Sequence, residues 1–246
     1  MGLLINAFNV ILYQPLFNAL VLLYEYLPGH DFGVAVITLT VIIRLLFYPL
    51  MVQSIKSQKS LSELQPKIQE IQSKYKDDKE KQARATMELY QKEKINPFGG
   101  CLPLLIQLPI LFALYRVFWQ GFQPEAMAML YRFVPHPGTI DPTFWGVINL
   151  GEASLVLAVL AGLTQFFQTK MITPQTPKSK QEEGKMITQF SGMMQKQMLY
   201  FFPIFTVFIL WKLPAAIGLY WIITALFSIL QQYLIFKKPK YEPAKP

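Results

Sequence analysis

The chain has 246 residues, of which 52% are hydrophobic and only 15% are charged, and its 23 Lys and Arg against 15 Asp and Glu give a net charge of +8. The apolar residues are gathered into blocks, which is typical of a bilayer protein and excludes an ordinary water-soluble domain. Because one span of a hydrocarbon core about 30 Å thick needs about 20 apolar residues, the length allows one compact helical bundle and excludes a second large domain. We predict an all-α integral membrane protein.

The first predicted element is a helix within residues 1–27. Polar residues and a proline interrupt its apolar run, namely Asn6, Asn9, Gln14, Pro15 and Asn18. This pattern favours an external helix that lies in the membrane interface. The alternative is a further membrane span.

The first predicted span, 32–52, is apolar except for Thr38, Thr40 and Arg44. The second, 96–119, opens with Asn96-Pro97, and proline suits the first turn of a helix. An outer loop, 120–151, leads to the third span, 152–171.

A cytoplasmic loop is predicted over 172–197, and the apolar block after it is too long for one span. Lys212-Leu213-Pro214 divides this block into a fourth span, 198–213, and a fifth, 215–236. Residues 237–246 form a basic tail. The prediction is therefore a core of five spans over 28–236.

Charge predicts the orientation of these spans. Lys and Arg are concentrated in 53–95, in 172–197 and in the tail, whereas residues 1–31 contain neither. Cytoplasmic loops carry an excess of Lys and Arg, so the N-terminus is expected outside and the C-terminus inside. An odd number of spans agrees with that orientation.

The segment 53–95 has a helical pattern of its own. Apolar residues recur at steps of three and four from Leu61 to Tyr75, and again from Ala83 to Tyr90. This predicts a cytoplasmic helical hairpin, with Asp77 and Glu80 as a capping box between its helices. On the simplest interpretation its charges form a solvated face, but a basic hairpin also attracts anionic lipid and ribosomal RNA.

Arg44 is the most informative residue, because an arginine near mid-bilayer costs about 2.5–3.5 kcal/mol even on the lenient insertion scale. The predicted spans contain no Asp or Glu apart from Glu152 at an outer end. Its solvation must therefore come from water, hydroxyls and amides in a hydrated groove. The candidate groove residues are Gln107, Thr164, Gln165, Gln168, Trp221, Thr224, Ser228 and Gln231. Taken singly, each is also explained by ordinary hydrogen bonding between helices.

A cavity with one positive charge and no fixed negative charge would attract acidic residues of a passing polypeptide.

The chain has no phosphate-binding Gly-Lys-Ser/Thr loop, its one cysteine allows no cysteine metal site, and its two histidines fall in outer loops. We therefore expect neither enzymatic activity nor a cofactor. A transporter or pore would usually have paired charges or inverted repeats, and an intramembrane protease would need a catalytic pair. A passive scaffold stays open.

Four stretches resemble the YidC/Oxa/Alb family of membrane protein insertases, in the family's order. They are PGHDFGVAVITLTVIIRLLFYPL (28–50), LQPKIQEIQSKYKDD (64–78), NPFGGCLPLLIQLPILFALY (96–115) and LPAAIGLYWIITALFSILQQ (213–232). The resemblance implies a five-helix core with an outer interfacial helix and a cytoplasmic hairpin. It also implies a groove open to cytoplasm and lipid but closed outside, with Arg44 as the groove arginine.

The resemblance further implies a function in the bacterial inner membrane. The hydrophilic part of a nascent membrane protein would enter the groove, and its hydrophobic span would leave along the third and fifth helices, independently or with the Sec translocon. The hairpin would contact the translocon, the ribosome or the signal-recognition receptor through Lys67, Lys74, Lys76, Asp77, Asp78, Lys79, Lys81 and Arg84. No small-molecule substrate is implied. The absence of a large periplasmic domain ahead of residue 28 favours a compact form.

Overall fold

The computed structural model describes residues 2–76, 78–120, 123–173 and 197–237. Helices dominate these ranges, and the strands in them, β1 Thr143–Phe144 and β2 Ile148–Asn149, form one short antiparallel hairpin. The helices are α1 Gly2–Phe8, α2 Gln14–Tyr26, α3 Phe32–Leu46, α4 Tyr48–Lys74, α5 Lys79–Lys92, α6 Leu102–Gln120, α7 Pro124–Met127, α8 Leu155–Ile172, α9 Phe202–Leu210 and α10 Ala215–Lys237.

Among the described residues, four helices are long and apolar enough to cross a membrane, namely Ile5–Tyr26, α6, α8 and α10. α3 and α4 meet the same requirement only when they are taken together as one broken span. The predicted class, an all-α integral membrane protein, is confirmed. The N-terminal helix also has the length of a span, so its location in the membrane interface stays a prediction.

The helix breaks at Phe47, inside the predicted first span. The Phe47 N–H still bonds the Ile43 carbonyl at 3.1 Å, but α4 begins anew at Tyr48. Pro49 explains the break, because its ring excludes the carbonyl four residues earlier and it lacks an N–H, whereas the first turn of a helix tolerates both. The first helix of the hairpin therefore begins at Tyr48 and not near residue 53.

A 3₁₀ turn, Pro97–Cys101, precedes α6, which begins at Leu102 and so later than the predicted second span. Side chains of α4 bind its carbonyls: the Ser54 hydroxyl donates to the Gly99 oxygen at 2.8 Å, and the Gln58 amide donates to the Gly100 oxygen at 2.9 Å. Because these carbonyls accept hydrogen bonds from α4, the α-helix does not continue back to residue 96, and α6 begins only at Leu102.

Helices also begin near two of the other predicted spans, whose bounds stay predictions. α8 and α10 begin within three residues of the predicted spans 152–171 and 215–236. The predicted fourth span, 198–213, is a π-helical turn, Gln197–Phe201, followed by the short helix α9.

The described residues divide into two compact units. The first falls within Met1–Phe47, Leu104–Gln165 and Pro203–Phe227. The second falls within Tyr48–Pro103, Phe166–Phe202 and Ser228–Pro246. In the first unit one apolar core is built on buried side chains of α2, α3, α6, α8 and α10, such as Phe17, Val36, Leu114, Ala158 and Ile217.

Within the first unit, the N-terminal helix is bound to the outer loop by the polar residues that interrupt its sequence. The Asn18 side chain is 1% exposed, donates to the Met129 carbonyl at 3.0 Å and accepts from the Tyr131 N–H at 2.7 Å. The Gln14 amide also donates to the Met129 carbonyl, at 3.0 Å. Between α1 and α2 the helix widens into a π-helical turn, Asn9–Tyr13. Gln14 and Asn18 therefore bind the outer loop.

Asp31 joins the start of α3 to the β-hairpin of the outer loop. One carboxylate oxygen caps α3 by accepting from the Val34 N–H at 2.8 Å, and the other accepts from the Trp145 N–H at 2.5 Å. Side-chain caps satisfy the free N–H groups at a helix start. The loop predicted over 120–151 is therefore ordered around this cap in the part that the structure describes.

α8 and α9 approach closely at Gly162. A methyl group there would meet the Val207 side chain and would lie 3.0 Å from the Pro203 carbonyl oxygen. Gly162→Ala is therefore expected to lower the free energy of unfolding by about 1–3 kcal/mol, measured as reversible unfolding in detergent.

Gly218→Ala is the matched control, because its methyl group would make only ordinary contacts with Leu157, the nearest at 3.4 Å. Alanine is the better helix former, so this variant should be as stable as the parent or slightly more so. Equal stability of the two variants would contradict a tight contact at Gly162.

In the second unit, α4 and α5 form the hairpin predicted over 53–95. Leu64 and Ile68 are buried on α4. The predicted capping box at Asp77 and Glu80 is corrected by one position, because Asp78 is the N-cap and accepts from the Lys81 N–H at 3.0 Å. An N-cap side chain reaches the N–H three residues on, and α5 begins at Lys79. Asp77 itself lies outside the described residues.

Candidate functional site

Arg44 lies in the last turn of α3, within the first unit, and is only 7% exposed. Its guanidinium donates from Nη2 to the Gln107 side-chain oxygen on α6 at 3.0 Å. It forms no ion pair with any residue that the structure describes; the ion pairs there are Lys67–Glu93, Lys81–Asp78 and Arg84–Glu80. A buried positive charge is thus solvated by a neutral amide.

Gln107 extends the contact to α10. Its amide nitrogen donates to the hydroxyl oxygen of Tyr220, a side chain that is almost completely buried. We name Arg44, Gln107 and Tyr220 the arginine cluster. The Gln107 oxygen accepts from the guanidinium and its nitrogen donates to the phenol, so the two partners together define the orientation of the amide.

Tyr220 was not among the residues predicted from sequence. It lies four residues before Thr224, which is also buried, and positions four apart share one face of a helix. The spacing of four from Thr224, a predicted groove residue, was the sequence signal that could have indicated Tyr220. A tyrosine in an apolar helix is otherwise indistinguishable by sequence from an ordinary packing residue.

Trp221 and Gln165 are also brought together in the first unit. The Trp221 indole donates to the Gln165 side-chain oxygen at 3.0 Å, which joins α10 to α8. An apolar cavity of about 280 Å³ adjoins the same tryptophan and is bordered by α6, α9 and α10. Of the described residues that line it, none is charged, and Phe112, Thr206 and Ile217 are representative.

Three further predicted groove residues lie on α8 and α10. The Thr164 hydroxyl bonds carbonyls of its own helix, Leu160 at 2.9 Å and Ala161 at 3.0 Å, as isolated threonines in helices commonly do. Gln168 is half-buried and Ser228 is buried, and both belong to the second unit. Thr164 is therefore explained without a groove.

A second arginine within the predicted spans, Arg116, was also missed by the sequence analysis. Its guanidinium lies 4.6 Å from the centre of the Tyr13 ring and donates to Asn9 at 2.5 Å and to Gln120 at 2.9 Å. All these partners are neutral, as at Arg44. Arg116 binds the π-helical turn of the N-terminal helix to α6. These contacts account for an arginine at this position of an apolar helix.

The hairpin charges partly neutralise one another. Lys67 pairs with Glu93 at 2.5 Å, Lys81 with Asp78 at 2.9 Å, and Arg84 with Glu80 at 3.2 Å. Lys74 lies 5.4 Å from the centre of the Tyr75 ring, and Lys76 and Lys79 are exposed. The surface is therefore a mixed one with an excess of positive charge.

Two carboxyl groups of the hairpin stay ionised over a wider pH range than usual. Hydrogen bonds from the Lys81 backbone N–H and then from its side chain lower the pKa of Asp78. A hydrogen bond from Lys67, and then its charge, lower the pKa of Glu93. Groups with lowered pKa stabilise the folded state above their ordinary pKa, and this contribution is lost as pH falls through the lowered value.

No group of three or more His, Cys, Asp or Glu residues within the described ranges could hold a metal ion. Fold and site together define a class: an integral membrane bundle of helices with a buried arginine that neutral groups solvate.

Comparison with known proteins identifies the family. The family model described as "60Kd inner membrane protein" matches residues 22–242. The chain therefore belongs to this family, the YidC/Oxa/Alb family, and is a multi-pass protein of the bacterial inner membrane.

Among the similar proteins are several named membrane protein insertase YidC. The protein of Fusobacterium nucleatum is 36% identical over 85% of this chain and 87% of its own length. Those of Magnetococcus marinus and Geobacter metallireducens are 38% and 35% identical over 87% and 94% of this chain, but only over 34% and 38% of their own lengths. The chain thus spans nearly all of the first relative and little more than a third of the other two.

Proposed function

We propose that this chain is a membrane protein insertase and chaperone. It accepts the hydrophilic part of a nascent membrane protein beside the arginine cluster and releases the hydrophobic span into lipid. The observation that carries the proposal is the environment of Arg44: a buried guanidinium whose described partner is the neutral amide of Gln107 at 3.0 Å. The relatives named as insertases support the same function.

The electrostatic reason is the unbalanced charge. A carboxylate about 4 Å from a guanidinium gains about 4 kcal/mol at an effective dielectric constant of 20, against about 1 kcal/mol in bulk water. An acidic residue in a client's tail is therefore attracted into a site where transfer from water is otherwise costly. Because Gln107 is neutral, it orients the guanidinium without neutralising it.

Release needs no chemical step. A hydrophobic span of about 20 residues is stable in lipid, so binding of its hydrophilic flank only has to lower the barrier to crossing. We propose that the span leaves along α8 and α10, which Trp221 and Gln165 join. Nucleotide hydrolysis and a cofactor have no part in this mechanism.

Orientation and partners follow as further proposals. The Lys and Arg residues of 53–95, 172–197 and the tail favour a cytoplasmic location for these segments, with the N-terminus outside. The excess positive charge of the hairpin suits the anionic surfaces of a ribosome. We propose that the hairpin receives clients from the ribosome, the signal-recognition receptor or the Sec translocon.

Insertion by the purified protein tests the proposed function. Proteoliposomes that contain this chain alone are mixed with a single-span client with an acidic tail, and the protease-protected tail is measured against empty liposomes. Protection of the tail only in the proteoliposomes is expected. Protection equal to that in empty liposomes would overturn the proposed function.

A further inference from the structure

Two adjacent amides in the last two turns of α10, Gln231 and Gln232, are buried in the second unit. Their side chains are 2% and 1% exposed. The oxygen and nitrogen of Gln231, and the oxygen of Gln232, have no hydrogen-bond partner among the described residues. Ser228 is buried three and four residues earlier, on the same side of the helix.

Such a pair is costly for the fold. Most buried polar side-chain atoms in proteins are hydrogen-bonded, and an unpaired one loses its solvation without compensation. A methionine or leucine would fill the same space in a membrane bundle without this cost. The two amides therefore indicate a polar ligand that supplies the missing hydrogen bonds.

The missing bonds define the chemistry of that ligand. Gln231 needs both an acceptor for its N–H₂ group and a donor for its oxygen, and Gln232 needs a further donor. A carboxylate offers only acceptors, and a metal ion or ammonium group satisfies only the oxygens. Water supplies both kinds of bond, and so does a peptide group with its one N–H and one carbonyl. An extended polypeptide segment that replaces water here therefore provides the required set.

We propose that Gln231 and Gln232 bind the main chain of the client's hydrophilic segment. This inference rests on the proposed function and deepens it. Peptide groups are the same in every client, so this recognition is independent of side chains, whereas Arg44 favours acidic ones. A chain that inserts clients of varied sequence needs a contact of this kind.

The test uses synthetic single-span clients with an uncharged tail of glycine or of N-methylglycine. N-methylation removes the N–H donors and keeps the carbonyls and the length. Wild-type protein in proteoliposomes is expected to insert the glycine client about fivefold to tenfold faster. With Gln231→Met/Gln232→Met, which removes the amides at nearly constant shape, the ratio of the two rates should fall to about one.

A stability measurement on the same variant separates binding from packing. Removal of unpaired buried amides should raise the melting temperature in detergent by about 2–4 °C while the glycine client is inserted more slowly. Leu230→Ile, on the exposed face of α10, is the control and should leave the melting temperature and the rate ratio unchanged.

Wild-type protein that inserts neither client would overturn the proposed function itself. If wild type inserts both clients at equal rates, or if the double variant keeps the wild-type ratio, only the inference of main-chain binding is overturned. A double variant that is less stable than wild type would show that the amides hold the fold, and would overturn it as well. Should the double variant fail to fold, Gln231→Met alone gives the same comparison.

Discussion

Replacement of Arg44 by alanine is expected to slow insertion of a client with an acidic tail about tenfold or more, whereas Arg44→Lys retains most of the rate. A hydrogen-bonded interaction with a charged group is worth about 1.5–3 kcal/mol, and each 1.4 kcal/mol is a factor of ten. Lysine keeps the charge but not the planar guanidinium that Gln107 binds at 3.0 Å. The measurement is the initial rate of protease-protected tail in proteoliposomes.

A client of the same shape without the charge is the control for this prediction. When the acidic residue of the tail is replaced by asparagine, wild type and Arg44→Ala should insert the client at similar rates. Equal rates of the two proteins with the acidic client would contradict a charge-based role of Arg44. If Arg44→Lys inserted both the acidic client and the asparagine client much more slowly than wild type, the role would instead belong to the geometry of the guanidinium.

Gln107→Glu is expected to leave the fold stable and to lower insertion of the acidic client about tenfold. The new carboxylate would lie where the amide oxygen now accepts from Arg44 at 3.0 Å, and it would form a buried ion pair with the guanidinium. A paired charge no longer attracts a client carboxylate. The variant should therefore lose the preference of the wild type for an acidic tail over one with asparagine.

Gln107→Met gives the matched comparison, since it removes both hydrogen bonds and adds no charge. Its free energy of unfolding should fall by about 1–3 kcal/mol, because Arg44 and Tyr220 each lose a buried partner. Preference for the acidic client should survive in this variant. If Gln107→Glu kept the full preference, the positive charge of Arg44 would not be the feature that clients recognise.

Arg44 is visible in the sequence because a charged residue within an apolar block has few explanations, and its need for a neutral partner follows from the absence of acidic residues in the spans. Tyr220 was missed because an aromatic residue in an apolar helix has many roles. Its contact with Gln107 joins residues 113 positions apart in the chain, and no local pattern records such a pair. The family resemblance supplied the order of the helices, and the family itself is confirmed.

Polar residues in the N-terminal helix show a limit of sequence patterns. Asn18 and Gln14 suggested contact with the membrane interface, but they bind residues 129 and 131, more than 100 positions away. A polar residue in an apolar helix indicates a polar partner, and the sequence does not state whether that partner is water, a lipid headgroup or another loop. The sequence likewise shows Pro49 within the first predicted span. It does not decide whether one helix ends before this proline and another begins, or whether a single kinked helix continues through it.

The π-helical turn Asn9–Tyr13 makes the beginning of the chain tolerant of a change in length. A π-helical turn holds one residue more than the α-helix that replaces it, so loss of one residue there would restore a regular helix. α2 would keep its register on the core through Asn18. α1 would keep its present face as well, because the five residues of the π-helical turn rotate the chain by about as much as four residues of an α-helix. The turn thus accommodates one extra residue without changing which face of α1 is directed toward the bundle.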